Sequence, residues 1–327
     1  MKIKRNLKVP TGNILILEGQ NGDLEALSIG DYGAAVNLNQ NNPVTSGLPL
    51  LPLEEKWVIT ISTQYGCSMG CKFCDVPKVG SGKNATVNDL LGQVDTGKSL
   101  HPEVLSTKRL NVHFARMGEP TWNSNVLYAA IVLKNRYDNF HVHPVVSTMM
   151  PKHNKKLKGF INAWMHIKNE FYFGEAGLQL SINSTSDLER DEMFSNNALS
   201  LSNIGIMMNE IINKNDNVVK GRKITLNFAV ANYEINPQKL LNSGFNPQHF
   251  IIKLTPMHKT TTALKNNIET TGDYTDYHPY EHHAIALRKA GYEVLVFIAS
   301  EDEDLGRITC GNAILSGTEP LVEWSEL

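Results

Sequence analysis

The chain has 327 residues, enough for a single large α/β core with extensions. Its 31 Lys and Arg residues against 33 Asp and Glu residues give a formal net charge of -2, which excludes a uniformly basic protein that coats nucleic acid. No apolar stretch reaches the roughly 20 residues that cross a bilayer. The N-terminus is basic but leads into no apolar segment typical of a signal peptide. We therefore expect a cytoplasmic protein without a membrane partner, in which a local patch makes any contact with nucleic acid.

The order of apolar and polar residues predicts a β-rich start followed by an α/β core. Residues 1–55 are rich in Gly, Asn and Pro and contain strand-like pieces at 13–19 and 34–40, which predicts a small β extension. Further along, apolar runs typical of buried parallel strands occur at 57–63, 109–115, 142–148, 177–183, 223–230, 249–255 and 292–299. Helical patterns lie between them at 87–94, 125–137, 157–169, 201–214 and 280–291. This alternation predicts a parallel α/β sheet, either doubly wound or closed into a full or partial barrel.

The four cysteines are distributed unevenly. Cys67, Cys71 and Cys74 fall within eight residues, in a glycine-containing loop after the first predicted core strand, while Cys310 stands alone. This pattern excludes a disulfide scaffold, which needs a short, cysteine-dense chain. Three thiolates on such a loop can bind three irons of a [4Fe–4S] cluster and leave the fourth iron open. The alternative is a structural zinc site, for which Cys310 would have to supply a fourth ligand.

The Cys-x3-Cys-x2-Cys spacing, with an aromatic residue before the third cysteine, resembles the radical S-adenosylmethionine (radical SAM) superfamily. Within it, the chain from about Trp57 to Leu315 resembles the RlmN/Cfr-like class of adenine methylases. The segments that carry this resemblance are 62–74, RMGEP at 116–120, 145–151, 178–192, 251–259 and 309–315. The resemblance implies an α/β fold with a partial (β/α)6 radical SAM barrel over residues 56–300. The β extension would precede the barrel, and a C-terminal tail over 301–327 would carry Cys310.

The resemblance also implies cofactors and partners. They are a [4Fe–4S] cluster on the three clustered cysteines, S-adenosyl-L-methionine on the open iron, an RNA substrate, and a reducing electron donor such as flavodoxin or ferredoxin. Gly118 would permit close backbone approach to the cofactor, and Glu119 could accept a hydrogen bond from its ammonium group. Polar side chains near strand ends suit its carboxylate or ribose; the candidates are Ser147, Ser181, Asn183 and His258. A turn residue, a helix cap or a core hydroxyl is the alternative interpretation of these residues.

Cys310 is the candidate catalytic residue. In the RlmN/Cfr-like class, one S-adenosylmethionine methylates a tail cysteine that precedes a glycine. A radical derived from a second molecule then removes hydrogen from that methyl group, and the resulting carbon radical adds to an adenine. Cys310 and Gly311 match this position, so the resemblance implies that Cys310 carries the methyl group. Considered alone, an isolated cysteine is more often buried and inert.

Two departures from the class leave other functions open. The methylases carry a second cysteine seven residues before the cluster motif, which resolves the covalent link to RNA, but this chain has Thr60 there. They also carry an N-terminal helical domain, where this chain has its β extension. A radical SAM enzyme that acts on a nucleotide or another small molecule without methyl transfer is therefore the second hypothesis. The third hypothesis is a non-catalytic zinc or iron–sulfur module. If the substrate is RNA, the basic run at 152–158 is the candidate contact to it.

Overall fold

Twelve strands are described in the computed structural model, which covers residues 1–32, 44–45, 47–214, 218–268, 274 and 276–322. The first three are β1 (Lys2–Val9), β2 (Gly12–Gly19) and β3 (Gly22–Ile29). The core strands are β4 (Trp57–Ile61), β7 (Leu110–Phe114), β8 (Val142–Thr148), β9 (Gly177–Ser181), β10 (Ile224–Val230), β11 (Phe250–Pro256) and β12 (Glu293–Val296). A separate two-stranded sheet consists of β5 (Gln64–Gly66) and β6 (Ser81–Asn84).

Helices connect the core strands. They are α1 (Val87–Ser99), α2 (Asn125–Arg136), α3 (Leu157–His166), α4 (Asp187–Met193), α5 (Leu201–Lys214), α6 (Pro237–Asn242), α7 (Thr261–Lys265), α8 (His278–Lys289) and α9 (Glu301–Leu305). Helix α1 begins at a capping box, in which the Thr86 side chain accepts from the Asp89 backbone and Asp89 accepts from Thr86. The five predicted helical patterns coincide with α1, α2, α3, α5 and α8. The short helices α4, α6, α7 and α9 lack the repeated apolar positions that would have predicted them.

The core strands form one parallel array. The large sheet has ten strands in the order β1-β2-β3-β4-β7-β8-β9-β10-β11-β12, and β4 and β7–β12 run parallel to one another. In β10 and β11, every second residue is buried in the apolar core. The residues between them are partly accessible on the opposite face of the sheet, here called the inner face. β1 and β12 lie at opposite ends of the described sheet, so it is an open barrel. The predicted α/β fold is confirmed, and the apolar runs correctly gave all seven core strands.

The N-terminal strands continue the core sheet instead of standing apart from it. β1, β2 and β3 form an antiparallel meander, and β3 pairs antiparallel with β4 in the register that places Leu27 opposite Thr60. The strand-like piece at 34–40 lies outside the described residues. The boundaries at 55 and 300 stay predictions. Among the described helices, none has the length and apolar character needed to cross a membrane.

Candidate cluster and cofactor site

A tight loop between β5 and β6 holds the three clustered cysteines. Gly66 has a φ of 82°, and a Cβ there would lie 2.2 Å from the Gly80 carbonyl oxygen, so only glycine fits. The Cys67 amide donates to the same Gly80 oxygen at 3.0 Å, which closes the base of the loop. Within the loop, the Cys74 amide donates to the Cys71 carbonyl at 3.2 Å. These bonds keep all three cysteines at the end of the barrel where β4 finishes.

The three thiols form an electrostatically coupled group. Burial raises the pKa of Cys67 to about 11, with a further contribution from Glu119. Burial also raises the pKa of Cys71 well above its usual value, and the charges of Cys74 and Cys67 raise it further. The pKa of Cys74 is raised by burial, by Cys67 and by Cys310. Without a metal these thiols would be protonated, and ligation by metal ions would deprotonate them, because a bound cation stabilises the thiolate.

The spacing of the thiols bears on which metal group they fit. In the described part of the chain, no three His, Cys, Asp or Glu side chains converge so that they could hold one metal ion. A [4Fe–4S] cube makes a different demand, since each thiolate binds its own iron at a separate corner. Three free cysteines on one loop, with Cys71 buried and Cys67 and Cys74 partly accessible, satisfy that demand. The residues present therefore fit the cluster that the sequence predicts.

Gly118 and Glu119 lie beside this loop, directly after β7. Gly118 has a φ of 96°, and a Cβ would lie 2.6 Å from the Gln64 side chain, so the turn requires glycine. Glu119 is buried, and burial raises its pKa although hydrogen bonds lower it. Its Oε1 accepts from the Thr121 amide and hydroxyl at 3.0 and 2.8 Å, and its Oε2 accepts from the Met149 amide at 3.0 Å. Glu119 thus already joins two loops, and contact with a cofactor ammonium stays a prediction.

The remaining predicted cofactor residues differ in how accessible their side chains are to a ligand. Ser147 and Ser181 are partly accessible on the inner face near the ends of β8 and β9. Asn183 is buried with a φ of 59°; its Oδ1 accepts from the Ala229 amide at 3.0 Å and its amide nitrogen contacts Met193 Sδ at 3.3 Å. The two serines can receive a ligand as they stand, whereas Asn183 shapes the backbone between β9 and β10.

His258 is tied to the tail that carries Cys310. Its Nδ1 lies 3.4 Å from Asp304 Oδ1, and its ring stacks on Tyr274 with a centroid distance of 6.3 Å. Asp304 also accepts from the Tyr274 and Thr309 hydroxyls, each at 2.5 Å. Burial raises the pKa of Asp304, but the His258 interaction and these hydroxyls outweigh it and lower the pKa overall. The link from His258 to Thr309, the residue before Cys310, was not evident from the sequence.

The structure places Cys310 against the cluster loop. The Asp75 amide donates to the Gly311 carbonyl at 2.8 Å, one residue after Cys74 in the loop and one after Cys310 in the tail. Gly311 has a φ of 90°, and a Cβ there would lie 3.1 Å from the Phe73 carbonyl oxygen. Cys310 is exposed; desolvation by the surrounding protein raises the pKa of its thiol overall, although the cations of Arg116 and Lys253 lower it in part. The tail segment that contains Cys310 therefore packs directly against the cluster loop.

Thr60 and the predicted basic run occupy different surroundings. Thr60 lies in β4, partly accessible on the inner face and in register with His113 of β7. The basic run at 152–158 is mostly exposed, although Lys158 is paired with Glu210 at 2.6 Å.

Sequence reasoning missed three residues that support the site, namely Glu25, Asp75 and Arg116. An ionisable residue inside the apolar strand pattern of β3 was the available signal for Glu25.

Known proteins with similar sequences are named RNA methyltransferases. The chain is 34% identical over 91 residues to the dual-specificity RNA methyltransferase RlmN of Nautilia profundicola, covering 28% of this chain and 25% of that protein. It is 30% identical over 152 residues to RlmN of Anaeromyxobacter dehalogenans, covering 43% of this chain and 37% of that protein. The matches thus span from about a quarter to somewhat over a third of these relatives' own length. No family model matches the chain.

Among solved structures, the chain resembles a radical SAM methyltransferase from Sphaerobacter thermophilus. The TM-score is 0.67 with 18% sequence identity, and the superposition covers 95% of this chain and 80% of that one. At this identity the likeness concerns the fold. The predicted resemblance to the RlmN/Cfr-like class is confirmed, and the described sheet has the architecture of a radical SAM methyltransferase.

Proposed function

We propose that the chain is a [4Fe–4S]-dependent radical SAM methyltransferase that modifies a nucleobase, an adenine in RNA, through a methyl group carried on Cys310. The observation that carries the proposal is the 2.8 Å hydrogen bond from Asp75 to Gly311, which joins the cluster loop to the segment that contains Cys310. The similar sequences named RNA methyltransferases support the reaction class and the RNA substrate.

Three cysteines would hold the cluster, and inner-face residues would hold S-adenosylmethionine. Cys67, Cys71 and Cys74 would each ligate one iron. When bound and reduced, the cluster would supply the electron for radical chemistry on S-adenosylmethionine. Gly118 would allow the tight turn beside the cluster loop, and the cofactor candidates on strand ends are Ser147, Ser181, Asn183 and His258. An electron donor such as flavodoxin or ferredoxin would dock outside this loop.

Cys310 has the surroundings that a methyl acceptor needs. In the transfer, its sulfur forms a bond to the methyl carbon of S-adenosylmethionine while the bond from that carbon to the sulfonium breaks, and the electron pair stays on the departing thioether. The thiol proton must first leave to solvent; desolvation by the surrounding protein raises the pKa of Cys310, and the cations of Arg116 and Lys253 offset part of this increase.

One observation favours a second candidate function. Thr60 stands where the methylases have their resolving cysteine, and a hydroxyl cannot form a disulfide with Cys310. A radical SAM enzyme of the same fold that acts on a nucleotide or another small molecule without methyl transfer would need no such partner. In that enzyme, Cys310 would have a structural or hydrogen-transferring role.

Mass spectrometry of the peptide that contains Cys310 separates the two functions. The protein is reconstituted with iron and sulfide under anaerobic conditions, supplied with unlabelled S-adenosylmethionine, and then given RNA and a reductant. We expect a mass increase of about 14 Da on Cys310, the size of one added methylene unit, and RNA-dependent 5′-deoxyadenosine. The Cys310→Ser variant keeps the cluster but transfers no methyl group. A wild-type protein that forms 5′-deoxyadenosine with a nucleotide but never carries the methyl group would establish the second function instead.

A further inference from the structure

We infer that the N-terminal meander β1–β3 is a platform that positions the segment around Cys310 over the cluster loop. The inference rests on the proposed function, because it gives Cys310 the role of methyl carrier. It assigns a role to a part of the chain that the resemblance to the methylases does not explain. Three sets of contacts carry it.

The first set is apolar. Ile308 and Ile314, which flank Cys310, belong to a small buried cluster that is separate from the main core. The other members come from β1, β2 and β3; they are Val9, Ile14, Ile16 and Leu27. Both isoleucines are nearly inaccessible, so the tail covers apolar surface of the meander on either side of Cys310. Burial of such side chains stabilises the docked position relative to a free tail.

The second set is a buried ion pair. Glu25 of β3 and Arg116, just before Gly118, have side-chain exposures of 0% and 3%, and Arg116 Nε lies 2.7 Å from Glu25 Oε1. Arg116 Nη2 also donates to the Arg307 carbonyl at 2.9 Å, and Glu25 Oε2 accepts from the Leu315 amide at 3.2 Å. The two charged groups therefore hold the tail backbone before and after Cys310.

The third set lies on the opposite side of the same segment. Here the tail meets the cluster loop through the bond between Asp75 and Gly311. The loop after β11 reinforces this side, since the Thr260 hydroxyl donates to the Phe73 carbonyl at 2.7 Å. Residues 307–315 are thus fixed between the meander and the cluster loop. The meander sets how far Cys310 stands from the cluster, while the ion pair prevents the segment from sliding.

An exposed ion pair between β1 and the tail serves as a comparison for the buried pair of Glu25 and Arg116. Arg5 of β1 forms a two-pronged pair with Glu319, with both distances 2.9 Å. Because it is solvent-exposed, this pair is expected to contribute little. Glu25 and Arg116 act on Cys310 through the tail and are positioning residues. Removing Arg5 should leave the position of Cys310 unchanged, whereas removing Glu25 should not.

The test compares variants on the two sides of the contact between tail and platform with a matched core variant. Ile314→Ala, in the tail, and Glu25→Gln, in β3, weaken that contact, and Ile314→Val is the mild form in case Ile314→Ala folds poorly. Ile204→Ala, in α5, removes the same side chain from the main core far from the meander. Two quantities are measured on the full-length reconstituted protein. One is amide hydrogen exchange of the peptide over 306–316, and the other is the rate of methyl transfer to Cys310 against the concentration of S-adenosylmethionine.

We expect exchange in the 306–316 peptide to rise on the order of tenfold or more in Ile314→Ala and Glu25→Gln, but not in Ile204→Ala. The maximal rate of methyl transfer should fall in the same two variants, while the half-saturating concentration of S-adenosylmethionine stays the same. General destabilisation would also lower the maximal rate by reducing the folded fraction, so the Ile204→Ala control measures how much of the fall has that cause.

Two results would overturn the inference. One is exchange over 306–316 that is no faster in the platform variants than in Ile204→Ala. The other is faster exchange with an unchanged maximal rate, which would mean that the held position of Cys310 does not matter. A wild-type protein that never accepts a methyl group on Cys310 refutes the proposed function and with it the positioning role. The exchange measurement would still decide whether the meander holds the tail.

Discussion

Replacement of Arg116 by Met is the sharpest test of how the buried ion pair supports the fold. The variant keeps a long apolar side chain but removes the guanidinium that contacts the Glu25 carboxylate and the Arg307 carbonyl. Glu25 is then left in an apolar environment, where the Leu315 amide remains as a donor to its carboxylate. Removing one partner of a buried pair is far costlier than replacing both, because the remaining charge has lost its compensation.

The expected loss of stability is large. Breaking a buried pair of this kind costs about 3 to 5 kcal/mol, which is a substantial fraction of the 5 to 15 kcal/mol by which domains are typically stable. With a urea dependence of about 3 kcal/mol/M, the unfolding midpoint should fall by roughly 1 to 1.7 M. The double variant Arg116→Met, Glu25→Gln removes both charges. It should be less destabilised than the sum of the two single variants by about 2 kcal/mol.

Urea unfolding followed by far-ultraviolet circular dichroism measures all four proteins of this cycle. Metal-free protein is used throughout, so that cluster loss does not contribute to the transition. A midpoint shift in Arg116→Met smaller than about 0.3 M would show that the pair is unimportant. If the single changes add to within about 0.5 kcal/mol, the two groups do not interact and the reasoning from the ion pair fails.

Three further changes test other parts of the site. Gly118→Ala should destabilise the protein and weaken the binding of S-adenosylmethionine, which calorimetry measures. The reason is that the added Cβ would lie 2.6 Å from the Gln64 side chain, at a backbone position with positive φ. As the control, Gly159→Ala should be tolerated, because Gly159 lies in a helix with open space around it. Asp304→Asn should lower stability near pH 7. The pKa of Asp304 is lower in the folded protein than its unfolded value of about 3.9, so the carboxylate stabilises the fold above that pH. The difference in urea midpoint between Asp304→Asn and the wild type should therefore disappear as the pH is lowered below that value. Cys71→Ser should lower bound iron and sulfide, while Cys310→Ser should retain both; equal loss in both variants would contradict separate roles for these cysteines.

The core strands and the cluster loop could be predicted from the sequence because the information for them is local. Each parallel strand is covered on its outer face by helices, so the apolar runs mark it directly, as in β10 and β11. The spacing of Cys67, Cys71 and Cys74 is likewise a property of one short loop. Their prediction needs no knowledge of which distant segments come together.

The contacts around the site depend on distant segments and could not be predicted. Glu25 and Arg116 are 91 residues apart in the chain and meet only because β3 pairs with β4. Glu119 has the residue type expected for a cofactor ligand, yet its oxygens are bonded to Thr121 and Met149, the latter 30 residues away. His258 similarly has Asp304 as its partner, 46 positions later in the chain. Glu119 and His258 could be identified from the sequence as candidates, but the residues that contact them could not.

The basic N-terminal strand has a consequence for how copies of this protein behave toward one another. β1 is the edge of the described sheet, so one side of its backbone is free of a strand partner among the described residues. Four of its side chains are exposed cations; they are Lys2, Lys4, Arg5 and Lys8. Lys2, Lys4 and Arg5 pair with Glu18, Asp23 and Glu319. A second copy that added its own β1 there would bring two rows of these charged side chains within a strand spacing of about 4.8 Å. This charged edge therefore opposes sheet extension and aggregation, in a chain whose overall charge is close to zero.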